Sequence, residues 1–330
     1  MWVRGDHTML ELKSAVKLNR KKNGFLMDIT KNKFSYIIAL PAMIYVFIFS
    51  YCAYPYMVIA FQKFDYRNNN LIDIIFKGEW VGLDNFKFFF SSQNAFNVTF
   101  NTIYLNLLFI ITGTLVSVLI ALLLNELRCR WFIKVTQSIM LFPNYISWIV
   151  VSYILLSLFS SQYGLINKSL ESLGIDSVNW YAEADIWPAI LVILRIWKGA
   201  GMSAIIYLAA ITGIDNSLYE VAQIDGANRF QQMMKITIPL IMPTIIIMTL
   251  LSVGKIMFGD FGMIYALVGD NGTLYKTTDI IDTYIFRAMR QVGDPAQAMA
   301  ISFFQSAIGF VMVFGSNWLT RKLYPEGALY

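Results

Sequence analysis

The sequence predicts an all-α polytopic membrane protein with six transmembrane helices, and three observations carry that prediction. The 330 residues are 57% hydrophobic and only 14% charged, against about 25% charged residues in a typical soluble domain. The apolar residues come in long blocks, each near the roughly 20 residues needed to cross a bilayer. The basic residues between the blocks are distributed unevenly, as a fixed membrane orientation requires.

The elements follow in chain order. Residues 1–33 are polar and basic and read as a cytoplasmic leader; the charge run is too long for a signal-peptide layout. Residues 34–323 form the transmembrane domain, with spans near 34–62, 98–124, 135–159, 186–211, 237–262 and 299–319, and residues 324–330 are a short tail. Pro41 and Pro55 fall in the first span, where neighbouring helices can satisfy the freed carbonyls. Gly199 and Gly201 in the fourth point to a local break or to close helix packing. The loops near 63–97, 160–185 and 263–298 are long for bare turns and rich in Asn, Trp, Tyr and Gly. They are read as a rim for a delivered ligand, or simply as surface connections.

Charge sets the orientation. With the N-terminus inside, the inner segments carry 15 Lys and Arg against 8 Asp and Glu, and the outer loops carry 8 against 12. This is the positive-inside pattern. It places both termini, and the loop of residues 212–236, in the cytoplasm.

That loop is the most specific signal in the chain. Residues 219–243 read YEVAQIDGANRFQQMMKITIPLIMP, a polar helical stretch between two apolar spans. Gly226 supplies a turn or a close approach, Glu220 suits the positive end of a short helix, and Pro239 suits the first turn of the next one. An ordinary helix–turn with incidental Gly and Pro is the plain alternative. The spacing of Glu220, Ala222, Gly226, Ile236, Ile238 and Pro239 resembles the EAA loop of ABC importer permeases, with Val221 and Ile238 departing from its Ala and Leu. The resemblance implies that Glu220, Ala222, Asp225, Gly226, Ala227, Arg229 and Pro239 belong to a coupling helix that docks on a separate ATPase subunit.

The flanks extend the likeness. YIIALPAMIYVFIFSYCAYPYMVIAFQKF (36–64), WVGLDNFKFFF (80–90), WFIKVTQSIMLFPNYISWIV (131–150), WKGAGMSAIIYLAAITGID (197–215) and TDIIDTYIFRAMRQVG (278–293) resemble the sugar-type, maltose-transporter-like permeases, as does the closing segment 298–323. They are most similar to the branch that imports oligosaccharides from polysaccharide breakdown. The resemblance implies a type I importer in a bacterial inner membrane, with a related, non-identical second permease, two ATPase subunits and an extracytoplasmic solute-binding protein. ATP and Mg would sit on the ATPase subunits, and this chain would bind no cofactor.

Arg195, Lys198 and Lys255 fall inside predicted spans, with Asp260 near the outer end of the fifth. Charges at that depth face a cavity or a partner. A basic lining points to an anionic cargo such as a uronate-bearing or sulfated oligosaccharide. Against it stand an architectural role for Lys198, within a WK-x-x-G stretch that resembles the family pattern, and snorkelling by Arg195. Asn144, Tyr145, Trp148, Tyr153 and Trp197 supply amide and aromatic faces suited to a sugar. Interfacial belts and packing account for such aromatics equally well.

No GxxxxGK[ST] segment occurs, so ATP hydrolysis is not expected on this chain. His7 is the one histidine and has no metal-ligand neighbours, and no HExxH, CxxC or nucleophile elbow is present. Cys52 and Cys129 are expected on opposite sides and unpaired. Nothing in the charge pattern calls for nucleic acid. The competing readings are a secondary sugar carrier or channel without an ATPase, and a membrane-embedded enzyme. The first leaves the EAA-like loop without a purpose, and the second lacks clustered catalytic groups.

Overall fold

The computed structural model describes residues 29, 31–65 and 71–323. Most of the expected leader and the tail 324–330 lie outside the described residues. The chain divides into two compact units between Met57 and Val58.

The described part of the first unit is essentially one apolar helical segment. Lys33–Val46 is α-helical and continues through a widened turn at Phe47–Tyr51. Its side chains are exposed, and Tyr45 packs on Phe49 with ring centroids 4.7 Å apart. Pro41 is carried inside the helix.

In the second unit, four further helices are long and apolar enough to cross a membrane: Asn94–Glu126, Ala184–Thr212, Arg229–Val253 and Pro295–Lys322. The third span is different. The apolar pattern predicts one straight helix over 135–159, but the chain forms two helices, Trp131–Tyr145 and Trp148–Phe159, bent by 93°. Pro143 ends the first half in a 3-10 turn and the Ser147 side chain caps the second through the Val150 N–H. Apolarity continues across the bend, so hydropathy alone does not reveal it.

The second and fourth spans pack along their length. No break occurs in the fourth, which is helical throughout Trp187–Thr212. Gly201 is there for close packing: a Cβ on it would lie 2.2 Å from the Met140 carbonyl oxygen, so backbone meets backbone where the spans cross. Ala200 and Ala204 beside it are buried, as expected of small residues at a membrane helix contact.

The long loops are folded rather than bare. They hold short helices at Leu71–Lys77, Asp84–Ser91, Leu165–Ser172, Phe261–Val268 and Ile281–Arg287. Two of these loops interlock. Asn271 and Thr273 donate to the Tyr181 carbonyl at 2.8 and 3.0 Å, and Lys276 pairs with Asp185 at 3.2 Å. Buried Asn167 organises the 160–185 loop, accepting from the Val178 N–H and the Trp180 indole at 3.2 and 2.9 Å.

Candidate functional site

Two features of the second unit are built for more than packing. The first is a polar cleft of about 670 Å³ between the second, third, fourth and fifth spans. Of the sequence-derived candidates, Asn144, Trp148, Arg195, Lys198 and Lys255 line it. Tyr145, Tyr153 and Trp197 are exposed and do not.

Both segments of irregular backbone at this cleft are stitched by side chains from elsewhere. At the bend of the third span, the Lys198 ammonium donates to the carbonyls of Pro143, Asn144 and Ile146, the first two at 3.3 and 2.9 Å. It also lies 5.3 Å from the Trp148 ring centre. A cation at the end of a helix offsets its exposed carbonyls. Lys198 therefore spends its donors on protein, in line with its architectural reading.

The second irregular segment holds Lys255. The hydropathy pattern predicts this residue mid-span, but the fifth helix ends at Val253 and Lys255 lies in the turn that follows. Apolar Ile256, Met257 and Phe258 extend the hydropathy signal past the helix, while Gly254 and Gly259 bracket a turn. Its backbone is satisfied from a distance. Asn106 donates to the Ile256 and Phe258 carbonyls at 2.9 and 3.3 Å, and Gln305 to the Met257 carbonyl at 2.7 Å. The Asp282 carboxylate accepts the Gly259 N–H at 2.7 Å. Non-helical backbone within a membrane protein persists where protein or a cavity serves it, and here protein groups serve it at the edge of the cleft. Sequence reasoning misses Asn106, Asp282 and Gln305; a lone amide in an apolar run, as in YLNLLF, is the available signal.

Arg195 pairs with Asp260 across the cleft instead of reaching for a helix end. The span boundaries predict Asp260 inside the fifth span, but it caps the next helix, Phe261–Val268, accepting the Met263 N–H at 3.0 Å. The Lys255 ammonium has no ion pair and no side-chain hydrogen bond among the described residues.

The second feature is the loop of residues 212–236. Asp215 caps a helix over Asn216–Ile224 by accepting the Ser217 N–H at 3.0 Å. That amide, then the Ser217 hydroxyl, hold the Asp215 carboxyl below its ordinary range. Asp215, not Glu220, occupies the N-terminal position; Glu220 lies beyond the first turn and is exposed. The helix stops at Asp225 and Gly226, whose φ of +78° lies in the left-handed region. The Gly226 N–H donates to the Gln223 carbonyl at 3.1 Å and the Ala227 N–H to the Ala222 carbonyl at 2.8 Å. This is a Schellman ending, which favours glycine. A Cβ on Gly226 would meet nothing within 4 Å, so the glycine serves a turn and not a close approach.

The chain restarts at once. Asn228 and Gln231 form a reciprocal capping box at 2.8 and 2.9 Å, which satisfies orphan amides at a helix start. Arg229 opens the helix that runs to Val253. Pro239 stands in the first turn of the α-helix Ile238–Val253, as expected. The widened turn at Met233–Thr237 joins that helix to the turn that Arg229 opens and accommodates the missing proline N–H. Tyr219 ties the loop to the fifth span through the Thr237 hydroxyl at 2.9 Å. Leu218, Val221, Ile224 and Phe230 remain exposed, Ile224 by 85%.

Comparison with known proteins places these features in context. Residues 113–325 match the family described as "Binding-protein-dependent transport system inner membrane component". The Bacillus subtilis polygalacturonan/rhamnogalacturonan transport system permease protein YteP is 34% identical over 93% of this chain and 94% of its own length. Protein LplB of the same organism is 31% identical over 92% of this chain and 93% of its own. Among solved structures, a chain of a bacterial ABC transporter involved in the import of the acidic polysaccharide alginate superposes with a TM-score of 0.81 and 31% identity, covering 91% of this chain and 99% of that one. A second structure, of a bacterial alginate ABC transporter in complex with an alginate pentasaccharide-bound periplasmic protein, gives a TM-score of 0.79 at 31% identity over 91% and 98%.

Proposed function

The chain belongs to the binding-protein-dependent transport system inner membrane components, a multi-pass permease of the sugar and polysaccharide ABC importer type, and from that premise we propose that it moves acidic oligosaccharides through the cleft lined by Arg195 and Lys255. The observation that carries the reading is the Lys255 ammonium, unpaired among the described residues just past the end of the fifth apolar helix, in a cleft with a second, half-exposed cation. A charge there is costly unless a cavity and a counter-charge serve it. The relatives named for polygalacturonan and for alginate handle polymers rich in carboxylates, and a uronate would supply that counter-charge.

Energy would enter from outside the chain. In this reading two ATPase subunits, which hold ATP and Mg, dock on the 212–236 loop through exposed Leu218, Val221, Ile224 and Phe230. A related second permease completes the pathway, and an extracytoplasmic binding protein loads the interlocked outer loops of a bacterial inner-membrane complex. Membership of the family favours this reading over the carrier and membrane-enzyme alternatives. The test is ATP hydrolysis by the reconstituted complex, stimulated by binding protein carrying acidic or neutral oligosaccharide. Stimulation by the acidic sugar, reduced about tenfold in Lys255→Met, is the expected result. Equal stimulation by neutral sugar would overturn the acidic cargo.

A further inference from the structure

Two arginine–aspartate pairs within the second unit differ in one decisive respect. Arg287 and Asp279 are 12% and 8% exposed. The Tyr275 ring covers the guanidinium at 4.1 Å, and Thr283 donates to the carboxylate at 2.7 Å. The pair borders a smaller cavity of about 380 Å³ but is nearly buried and held by Tyr275 and Thr283, so it is a fixed tie. Arg195 and Asp260 are 45% and 25% exposed and both line the cleft. Among the described residues Arg195 has no other hydrogen-bond partner, and only the Phe109 ring, 6.0 Å away, lies beneath it.

Asp260 meanwhile holds two positions. One oxygen caps the helix Phe261–Val268, and the other takes Arg195. The cap does not depend on the arginine, so losing Arg195 leaves Asp260 placed. An exposed ion pair contributes little net stability, because water competes for both charges. Exchanging one carboxylate for another on the same guanidinium is then nearly free of cost.

We propose that Arg195 is the docking cation for a carboxylate of the passing oligosaccharide, and that Asp260 is its resident counter-ion, displaced when the cargo enters. The proposal rests on the acidic-cargo reading and names the residue pair that enforces it. A guanidinium fork matches a carboxylate through two parallel hydrogen bonds. A hydroxyl does not compete with a carboxylate for that fork, so a neutral sugar leaves Asp260 in place and meets a closed pair. Selection thus comes partly from a resident competitor that the wrong cargo cannot remove. Lys255, with no competitor, takes a neighbouring carboxylate as a point charge. Lys198 takes no part, since three carbonyls occupy it.

The test measures calorimetric binding of trigalacturonate, and of its neutral methyl ester, to the purified permease–ATPase complex without binding protein. In Asp260→Asn, whose amide oxygen can still cap Met263, trigalacturonate should bind about threefold more tightly; in Arg195→Met, about tenfold more weakly. The double variant Arg195→Asp with Asp260→Arg restores an ion pair but moves the cation, and should bind as weakly as Arg195→Met. If the swapped pair restores wild-type affinity, or if Asp260→Asn weakens binding as much as Arg195→Met does, the pair is a structural tie and the exchange is wrong. If wild type binds the ester as well as the acid, the acidic-cargo reading falls, whatever the variants do. Binding of neither sugar overturns both.

Discussion

The 212–236 loop and the cleft are assembled over very different distances along the chain. In the loop, caps join residues two to five positions apart, and the longest tie, Tyr219 to Thr237, spans 18. In the cleft, Lys198 reaches back 52 to 55 residues to the broken third span, Arg195 reaches 65 to Asp260, and Asn106 reaches 150 and more to the turn that carries Lys255. The loop can form wherever its own segment is helical. The cleft exists only once four spans are packed. A lesion in the loop should therefore spare the fold and break communication, whereas a lesion in the frame of the cleft should break the fold.

The largest effect is expected at Gly201→Val. Its side chain would have to occupy the place of the Met140 carbonyl, and backbone cannot step aside as a flexible side chain can. We expect a loss of about 3 kcal/mol or more, seen as a sharply lowered midpoint in thermal unfolding of the purified complex. Near-wild-type stability would mean that the second half of the fourth span does not cross the third at that residue.

A smaller structural effect with a large functional one is expected at Gly226→Val. A left-handed backbone costs an L side chain about 1–2 kcal/mol, and valine is poorly suited to it. Uptake should fall steeply while the unfolding midpoint of the complex shifts little. Gly226→Asn, which tolerates that backbone, should keep most of the uptake. Normal transport by the valine variant would remove the loop from the coupling role.

The smallest effect concerns pH. The folded pKa of Asp215 lies below its unfolded value because the Ser217 N–H, then the Ser217 hydroxyl, bind the charged form. The cap is therefore fully in place above the unfolded pKa, about 4, and is lost as pH falls through the lower folded value. Hydrogen exchange over residues 216–224 should lose protection at the acid end of that window. Asp215→Ala should show the weaker protection at every pH. A wild-type profile as flat as that of the variant would show that the carboxylate does not hold the helix start.

The same contrast in reach explains why the two regions differ in how far residue order alone reveals them. The loop is largely legible because its rules are short-range: Gly226 announces a turn by its place in the pattern, and the Asn228–Gln231 pair, though not read from the sequence, acts over the same short range. Pro239 takes the first-turn position its spacing implies, but Glu220 does not, since the Asp215 cap sets where the first helix begins. The cleft is legible only as residue types. Arg195, Lys198 and Lys255 stand out as charges in apolar runs, and only the WK-x-x-G likeness, not a local physical rule, sets apart the lysine that stitches carbonyls.

By itself the sequence determined the class of molecule, the rough positions of its spans and the turn at Gly226. These follow from apolar length and short-range rules, which act before distant segments meet. Only the tertiary structure decided that the third span bends by 93° and that the fifth helix ends before Lys255. It alone decided which cation Asp260 holds. A helix breaks inside a membrane only where other segments satisfy its freed backbone groups, and those partners, on Lys198, Asn106, Asp282 and Gln305, arrive from elsewhere in the chain.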